Sequence, residues 1–320
     1  MIFLAPRLWT EIIEIASDLG RIYRPFGFLL SNALIAGYLA DTTEDLRWKR
    51  LGLPIAEGRA SSVLALNEPG SGNDLSAIAT HTEPWEEGYR ITGTKTYIPN
   101  ADQVDFLLVA AREAAGSSLA IFAVDPRSGR CRVRRLGPTM ALRGVHLCEI
   151  ELDGYEAPSD DRMGDMNGLW PHLARSRLLT SGLALGIATE ALELSLDHTA
   201  RTRRFGDPLS RGVVRQTLAN MSIGVETGRV YLHRAAALVD AGERASVEIS
   251  IAKVYATDVA MDVTTDAVQL IGKQGYLTSG KVERLMREAK LNQIVDGANE
   301  IHRDLIAKQF GKRYETRGTM

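Results

Sequence analysis

The spacing of hydrophobic and polar residues changes twice along the chain. From residue 9 to about residue 60, apolar residues recur at helical spacing, as at Ile15 and Leu19. From Ser62 the period becomes two, and apolar runs between Gly and Pro turns predict a β-domain of about six strands. After Met163 long amphipathic stretches, which predict an antiparallel helical bundle, occupy residues 168–200, 212–242, 247–271, 279–291 and 298–312.

This order of elements predicts an α+β protein and disfavours a doubly wound parallel sheet. We expect a shortened N-terminal helical domain at residues 1–61, a middle β-domain at 62–158 and a C-terminal helical bundle at 159–320. The most apolar stretch, Phe26 to Ala40, is shorter than the ~20 residues that cross a bilayer. We therefore expect a buried core helix there and no membrane span.

Composition excludes several classes of function. The 38 Lys and Arg residues nearly balance the 40 Asp and Glu residues, so nucleic acid is not an expected partner. Cys131 and Cys148 cannot form a disulfide framework, which is typical of a cytoplasmic protein. The six histidines are widely separated, which disfavours a metal site, and the motifs GxSxG and GxGxxG are absent.

Four regions, in order, resemble the signature segments of the acyl-CoA dehydrogenase family. They are ALNEPGSGND at residues 65–74, ITGTKTYIPN at 91–100, RRFGDPL at 203–209, and VERLMREAK with IVDGANEIHR at 282–290 and 294–303. The similarity extends from about Trp9 to Arg313. It implies an N-terminal helical domain, a middle β-domain and a four-helix bundle. It also implies FAD, a homo- or hetero-oligomer, and an electron-transfer flavoprotein or another acceptor as partner.

The resemblance implies an activity, the FAD-dependent α,β-dehydrogenation of an acyl thioester carried by CoA or by a carrier protein. In such a reaction a carboxylate removes the α-proton while the β-hydrogen leaves as hydride. The family places a Glu before the Gly of the last segment, and Asp296 stands there, one methylene shorter. A second branch carries its base before an Arg, where this chain has Ser176 before Arg177.

Asp296 is therefore the expected catalytic base, and Arg177 and Gly297 are the expected substrate contacts. The alternative for Asp296 is a plain turn residue, since Asp-Gly is a common turn pair.

The resemblance also implies a set of flavin contacts: Asn67, Asn73, Tyr97, Arg203, Phe205, Gln269 and Gly272. Arg201 is the alternative to Arg203, because this segment is one residue shorter than usual. Three positions depart from the family pattern. Pro99 offers no N–H to the flavin edge, Lys273 replaces a Gly, and Ala298 stands where a Thr is common.

Two other functions remain open at this point. The departures at Pro99, Lys273 and Ala298, together with the short N-terminal region, favour a noncatalytic partner subunit of a hetero-oligomeric dehydrogenase. Asp296 in place of Glu favours a flavin oxidase acting on another carbon acid.

Overall fold

The computed structural model describes residues 8–42, 48–114, 118–204, 207–209 and 211–315. Contacts between residues divide the chain into two compact units. The sheet unit comprises the described residues of 28–139 and 143–173. The bundle unit comprises those of 7–27, 140–142 and 174–320. The three-domain division at residues 61 and 158 stays a prediction.

The sheet unit is built on one mixed eight-stranded sheet. Its strands are β1 (Ser62–Ala65), β2 (His81–Trp85), β3 (Gly88–Pro99), β4 (Phe106–Arg112), β5 (Leu119–Val124), β6 (Cys131–Arg135), β7 (Leu147–Pro158) and β8 (Arg162–Asp165). The order is β6-β7-β3-β2-β4-β5-β8, and β1 pairs with β4. The β1–β4 and β2–β4 pairs are parallel, and the other ladders are antiparallel.

The sheet has more strands than the sequence pattern predicts because β1 and β8 are only four residues long and β6 is rich in arginine. Arg132 lies opposite Glu151 and Arg134 opposite Glu149 in the β6–β7 ladder. Each pair forms a salt bridge of 2.8 Å. Opposite charges across an antiparallel pair stabilise it, so a strand with little apolar character can form here.

Short helices accompany the sheet. They are α2 (Gly27–Thr42), α3 (Leu53–Ala56), a π-helical turn at Trp48–Gly52, and single 3-10 turns at Leu75–Ala77 and Ser159–Asp161. The helix α2 buries Leu30, Ile35 and Leu39, with exposures of 8% or less. This confirms the core helix predicted from the apolar stretch between Phe26 and Ala40.

The bundle unit contains α1 (Trp9–Ile22), most of α4 (Met166–Arg201), α5 (Val213–Asp240), α6 (Ser246–Ile271), α7 (Lys281–Asn292) and α8 (Asn299–Glu315). Single 3-10 turns lie at Arg24–Phe26 and Gly272–Gln274. The last five α-helices confirm the predicted stretches to within three residues. Glycines allow α1 to approach α4 closely: a Cβ on Gly186 would lie 1.9 Å from Ser17 O.

By length and composition α4 could cross a membrane. However, 83% of its most apolar 18-residue window is buried inside the molecule. Its apolar residues, such as Leu185 and Ile187, belong to the core of the bundle unit. Packing in that core therefore accounts for the apolar character of α4.

Candidate active site

The Asp296–Gly297 turn joins α7 to α8 with two successive residues in left-handed conformations. Their φ angles are +55° and +83°. Asp is one of the few L-residues that visit this region readily, and Gly does so without penalty. The Asp-Gly pair is therefore a turn pair, as its dipeptide sequence predicts. The same turn presents the Asp296 side chain on the protein surface, so the catalytic interpretation is compatible with it.

Two hydroxyl groups on one face of α4 hold the Asp296 carboxylate. Ser176 Oγ donates to Oδ1 at 3.1 Å, and the Thr180 hydroxyl donates to Oδ2. The two donors are four residues apart, so they lie one above the other on the helix. One hydroxyl on each oxygen fixes the plane of the carboxylate, which is the preorganisation that a general base needs.

Sequence reasoning identified position 176 but missed this contact. It considered Ser176 only as the place where an alternative base is absent. In the structure this position supplies a donor to the carboxylate at position 296. The signal that could have found the contact is the pair of hydroxyl residues, Ser176 and Thr180, at helical spacing beside Arg177.

Cationic groups surround the same carboxylate. Burial lowers the pKa of Arg177, while the negative charge of Asp296 raises it. Burial also lowers the pKa of Arg24, which Asp296 and Glu288 raise. Arg24 is only 5% exposed, and its Nε donates to Asn292 Oδ1 at 3.2 Å. The predicted substrate contacts Arg177 and Gly297 are thus brought together with Asp296 in the bundle unit.

The first two motif segments lie side by side in the sheet unit. Thr96 N donates to Asn67 O at 2.8 Å, so Asn67 lies next to the segment that carries Tyr97. Tyr97 has a φ of +56° where the β3–β7 register shifts, and its side chain is 62% exposed. An exposed aromatic ring on a left-handed backbone is uncommon, and such conformations cluster at functional sites.

A buried ion pair supports these two segments. Lys95 Nζ contacts Glu68 Oε1 at 2.8 Å and donates to Leu66 O at 3.2 Å. Glu68 also accepts from Ala79 N and Thr80 N, at 2.7 and 3.0 Å. The ion pair therefore joins β3, the strand that carries Tyr97, to the loop that runs from Glu68 to Asn73.

The remaining residue predicted in this loop, Asn73, is exposed beside two glycines. A Cβ added to Gly70 or Gly72 would meet nothing within 4 Å. The backbone here is open to a ligand. Pro99 ends β3, two residues after Tyr97.

The bundle unit contains a cavity of about 320 Å³. The cavity is lined by the end of α4 and by the connection between α6 and α7, including Arg201, Thr202, Ile271, Gln274 and Lys281. Arg201, the alternative to Arg203, lines this cavity. Arg203 is exposed in a two-residue strand, Arg203–Arg204, which pairs with Asp207–Pro208.

The other predicted contacts in this region have varied environments. Gln269 is exposed near the end of α6, and Gly272 follows the helix with a φ of +66°. A Cβ on Gly272 would meet nothing within 4 Å, so its backbone is accessible. Lys273 is exposed. Phe205 lies outside the described residues.

Each of the two units offers groups that fit the chemistry of FAD. The sheet unit has an exposed aromatic ring at Tyr97 and amide side chains at Asn67 and Asn73, which can donate and accept hydrogen bonds. The bundle unit has a cavity with Arg201 and Lys281, cations that could hold a pyrophosphate if they exchanged their present partners, Asp197 and Glu190. Within the described residues, no group of three or more His, Cys, Asp or Glu side chains could hold a metal ion.

Comparisons with known proteins match both units. Family models described as acyl-CoA dehydrogenase, C-terminal domain, and acyl-CoA dehydrogenase, middle domain, match residues 170–311 and 63–155. The chain is 34% identical over 265 residues to the cyclohexane-1-carbonyl-CoA dehydrogenase of Geobacter metallireducens, across 81% of this chain and 70% of that protein.

Two solved structures are also similar over most of the chain. One is the butyryl-CoA dehydrogenase of Megasphaera elsdenii, at 25% identity and a TM-score of 0.84, across 93% of this chain and 80% of that one. The other is described as the electron transferring flavoprotein of Acidaminococcus fermentans, at 27% identity and a TM-score of 0.87. It covers 92% of this chain and 80% of that one.

Proposed function

Since the chain belongs to the acyl-CoA dehydrogenase family, we propose that it oxidises the Cα–Cβ bond of an acyl-CoA with Asp296 as the base. The family predicted from the motif segments and the α+β fold predicted from the order of helices and strands are both confirmed. The protein is an oxidoreductase acting on CH–CH bonds, and FAD is its cofactor. When bound, FAD supplies the acceptor for the β-hydrogen, which leaves as hydride.

The observation that carries the proposal is the hydrogen bonding of Asp296. A carboxylate held by Ser176 and Thr180 presents a fixed oxygen lone pair to an α-proton. As the proton moves to Asp296, the electrons of the Cα–H bond form the Cα=Cβ double bond and the hydride departs. The carbon acid is weak, so the thioester carbonyl must be polarised by hydrogen bonds in the same step.

We infer that Arg177 is the cation that acts on the substrate at this point. It is half-buried one residue after Ser176, and it interacts electrostatically with Asp296. We assign to it the contact with the anionic or polar part of the thioester. Gly297 has no side chain, and the His302 imidazole packs where its Cβ would be.

The carrier, electron acceptor and assembly are finer parts of the proposal. A CoA thioester is favoured over a carrier-protein thioester because the Geobacter and Megasphaera dehydrogenases act on CoA thioesters. We propose an electron-transfer flavoprotein as acceptor, an oligomer in which a second subunit completes the flavin site, and a cytoplasmic location. The noncatalytic partner subunit is the second candidate, because Pro99 offers no N–H at the end of β3.

Flavin bleaching tests the proposal directly. The purified protein is mixed without oxygen with cyclohexane-1-carbonyl-CoA and, separately, with butyryl-CoA, and the flavin absorption band is followed. We expect FAD to co-purify and at least one thioester to bleach it. A protein that purifies without flavin, and gains it only with a coexpressed homologous subunit, would support the partner-subunit candidate instead.

A further inference from the structure

Lys253, on α6, is a completely buried lysine whose ammonium group donates to neutral oxygens. Its exposure is 0%. Nζ donates to Gly297 O at 2.8 Å and to Asn299 Oδ1 at 2.8 Å. The amide of Asn299 is oriented by its own bonds, since Nδ2 donates to Thr257 Oγ1 at 2.9 Å and to Asp258 Oδ1 at 2.8 Å. The two acceptors of Lys253, Gly297 O and Asn299 Oδ1, lie in the segment that carries Asp296.

His302, on α8, contacts the same turn at the carbonyl oxygen of Asp296. It is 1% exposed, and its Nε2 lies 3.0 Å from Asp296 O. A carbonyl oxygen can only accept, so Nε2 carries the proton. Nδ1 lies 3.1 Å from Ser250 Oγ, whose single proton is shared between this nitrogen and Ser246 O, 2.8 Å away. Burial lowers the pKa of His302 to about 4, although the Asp296 carbonyl raises it, so the ring is neutral at pH 7.

We propose that Lys253 and His302 are positioning residues, which orient the Asp296 carboxylate by fixing the backbone of the turn that bears it. The inference deepens the proposed function and rests on Asp296 being the base. Two successive carbonyl oxygens, those of Asp296 and Gly297, are each held by a buried donor. These two bonds restrain the peptide planes on either side of Gly297, and with them the direction in which the Asp296 side chain leaves the backbone.

Asp296 is consequently held both at its carboxylate oxygens and at its main chain. Ser176 and Thr180 contact its oxygens, and Lys253 and His302 fix the main chain below it. Gly297 is part of the same arrangement, because a Cβ there would lie 3.1 Å from His302 Nε2. The imidazole can approach this closely only when residue 297 has no side chain.

Burial of an ammonium group among neutral acceptors is costly, so stability alone is a poor reason for Lys253. An apolar side chain of similar volume would avoid the burial of a charge, but it would leave Gly297 O without this donor. The gain lies in geometry, because misplacing a reacting group by about 1 Å can cost about 10²-fold in rate. Asp has one methylene less than Glu to absorb such an error.

The test compares His302→Leu with His302→Gln, whose amide N–H can replace the Nε2 donor. Flavin reduction by a saturating thioester gives the rate, and titration of flavin absorption with the thioester gives the apparent Kd. We expect His302→Leu holoenzyme to be slowed about tenfold or more, with its Kd changed less than about twofold. His302→Gln is expected to stay within about threefold of the wild-type rate.

Lys253→Met provides the second variant, and Thr264→Val is its matched control on α6. The Thr264 hydroxyl is buried and bonds Ala260 O, away from the turn. We expect Lys253→Met to slow reduction and Thr264→Val to change only the melting temperature. If Lys253→Met does not fold, the two His302 variants decide the question.

Three results would overturn the inference. Reduction at the wild-type rate in His302→Leu holoenzyme with a lowered melting temperature would show a purely structural role. Equal slowing in His302→Leu and His302→Gln would show that the donated bond is not responsible. An unchanged rate of flavin reduction in Asp296→Asn would show that Asp296 is not the base. In that case the proposed function, on which this inference rests, would be the part that failed.

Discussion

Lys95 in the sheet unit and Lys253 in the bundle unit are equally buried but have different partners. Both have exposures of 0%, and burial lowers the pKa of each to about 8. Lys95 contacts the Glu68 carboxylate, whereas the Lys253 ammonium donates to the neutral oxygens of Gly297 and Asn299. The first lysine is half of an ion pair that joins two segments of the sheet unit. The second donates to the turn that bears the Asp296 carboxylate, the proposed base.

The comparison shows that burial alone does not reveal the role of a charged residue. An ion pair satisfies both members, and its cost appears when one partner is removed. Lys253 donates to neutral oxygens, and the nearby negative charge of Asp296 raises its pKa, so its effect is expected in the geometry and charge around Asp296. Substitutions in the two units should therefore have different effects. Replacing Glu68 should lower the stability of the fold, whereas replacing residues around Asp296 should lower the rate of flavin reduction.

The largest effect on stability is expected for Glu68→Gln. This change leaves Lys95 buried without its carboxylate and removes an acceptor from Ala79 N or Thr80 N. Breaking a buried pair typically costs about 3–5 kcal/mol in the free energy of unfolding, which urea denaturation would measure. Glu83→Gln is the control, since Glu83 is exposed on the neighbouring strand. A loss below about 1 kcal/mol would contradict the structural role given to the pair.

The next effect concerns pH and His302. The folded state keeps the ring neutral down to about pH 4, whereas the unfolded chain takes up a proton below its ordinary pKa of 6.5. The unfolded state therefore binds more protons between these values. The free energy of unfolding should fall as the pH drops from 6.5 to 4, by at most about 3 kcal/mol. Urea denaturation of wild type and His302→Gln across this range should show a flatter profile in the variant. If the free energy of unfolding fell equally with pH in both proteins, His302 would not be the group that is kept neutral by folding.

A smaller effect is expected for Gly297→Ala. A left-handed conformation costs an L-residue about 1–2 kcal/mol, and here the new Cβ would also press on His302. Gly242→Ala is a matched control, because Gly242 has a similar φ of +77° but no atom within 4 Å of an added Cβ. Thermal unfolding should show a larger loss for Gly297→Ala than for Gly242→Ala. Equal losses would mean that the imidazole contact contributes nothing.

The sequence was most informative where a pattern repeats over many residues. The five long stretches after Met163 predicted their helices to within three residues, because a buried face recurs through several turns. The Asp-Gly pair at 296–297 likewise predicted a turn. Short strands such as β1 and β8 contain too few residues for a period of two to stand out.

The contacts of the site were less predictable because they join distant residues. Lys253 lies 44 residues before Gly297, and nothing local distinguishes it from a lysine on the exposed face of an amphipathic helix. Thr180 and Asp296 are separated by 116 residues. Arg201 lines the bundle cavity, and which of Arg201 and Arg203 contacts a pyrophosphate stays a prediction.

The most direct test of the central claim is flavin bleaching by Asp296→Asn. Asn tolerates a left-handed φ about as well as Asp, so the turn and the FAD content should be preserved. Asp304→Asn is the control, because Asp304 is an exposed carboxylate on α8 that pairs with Lys308. We expect a thioester that bleaches the wild-type flavin to leave Asp296→Asn unbleached and to bleach Asp304→Asn normally. Bleaching of Asp296→Asn at the wild-type rate would show that another group removes the α-proton.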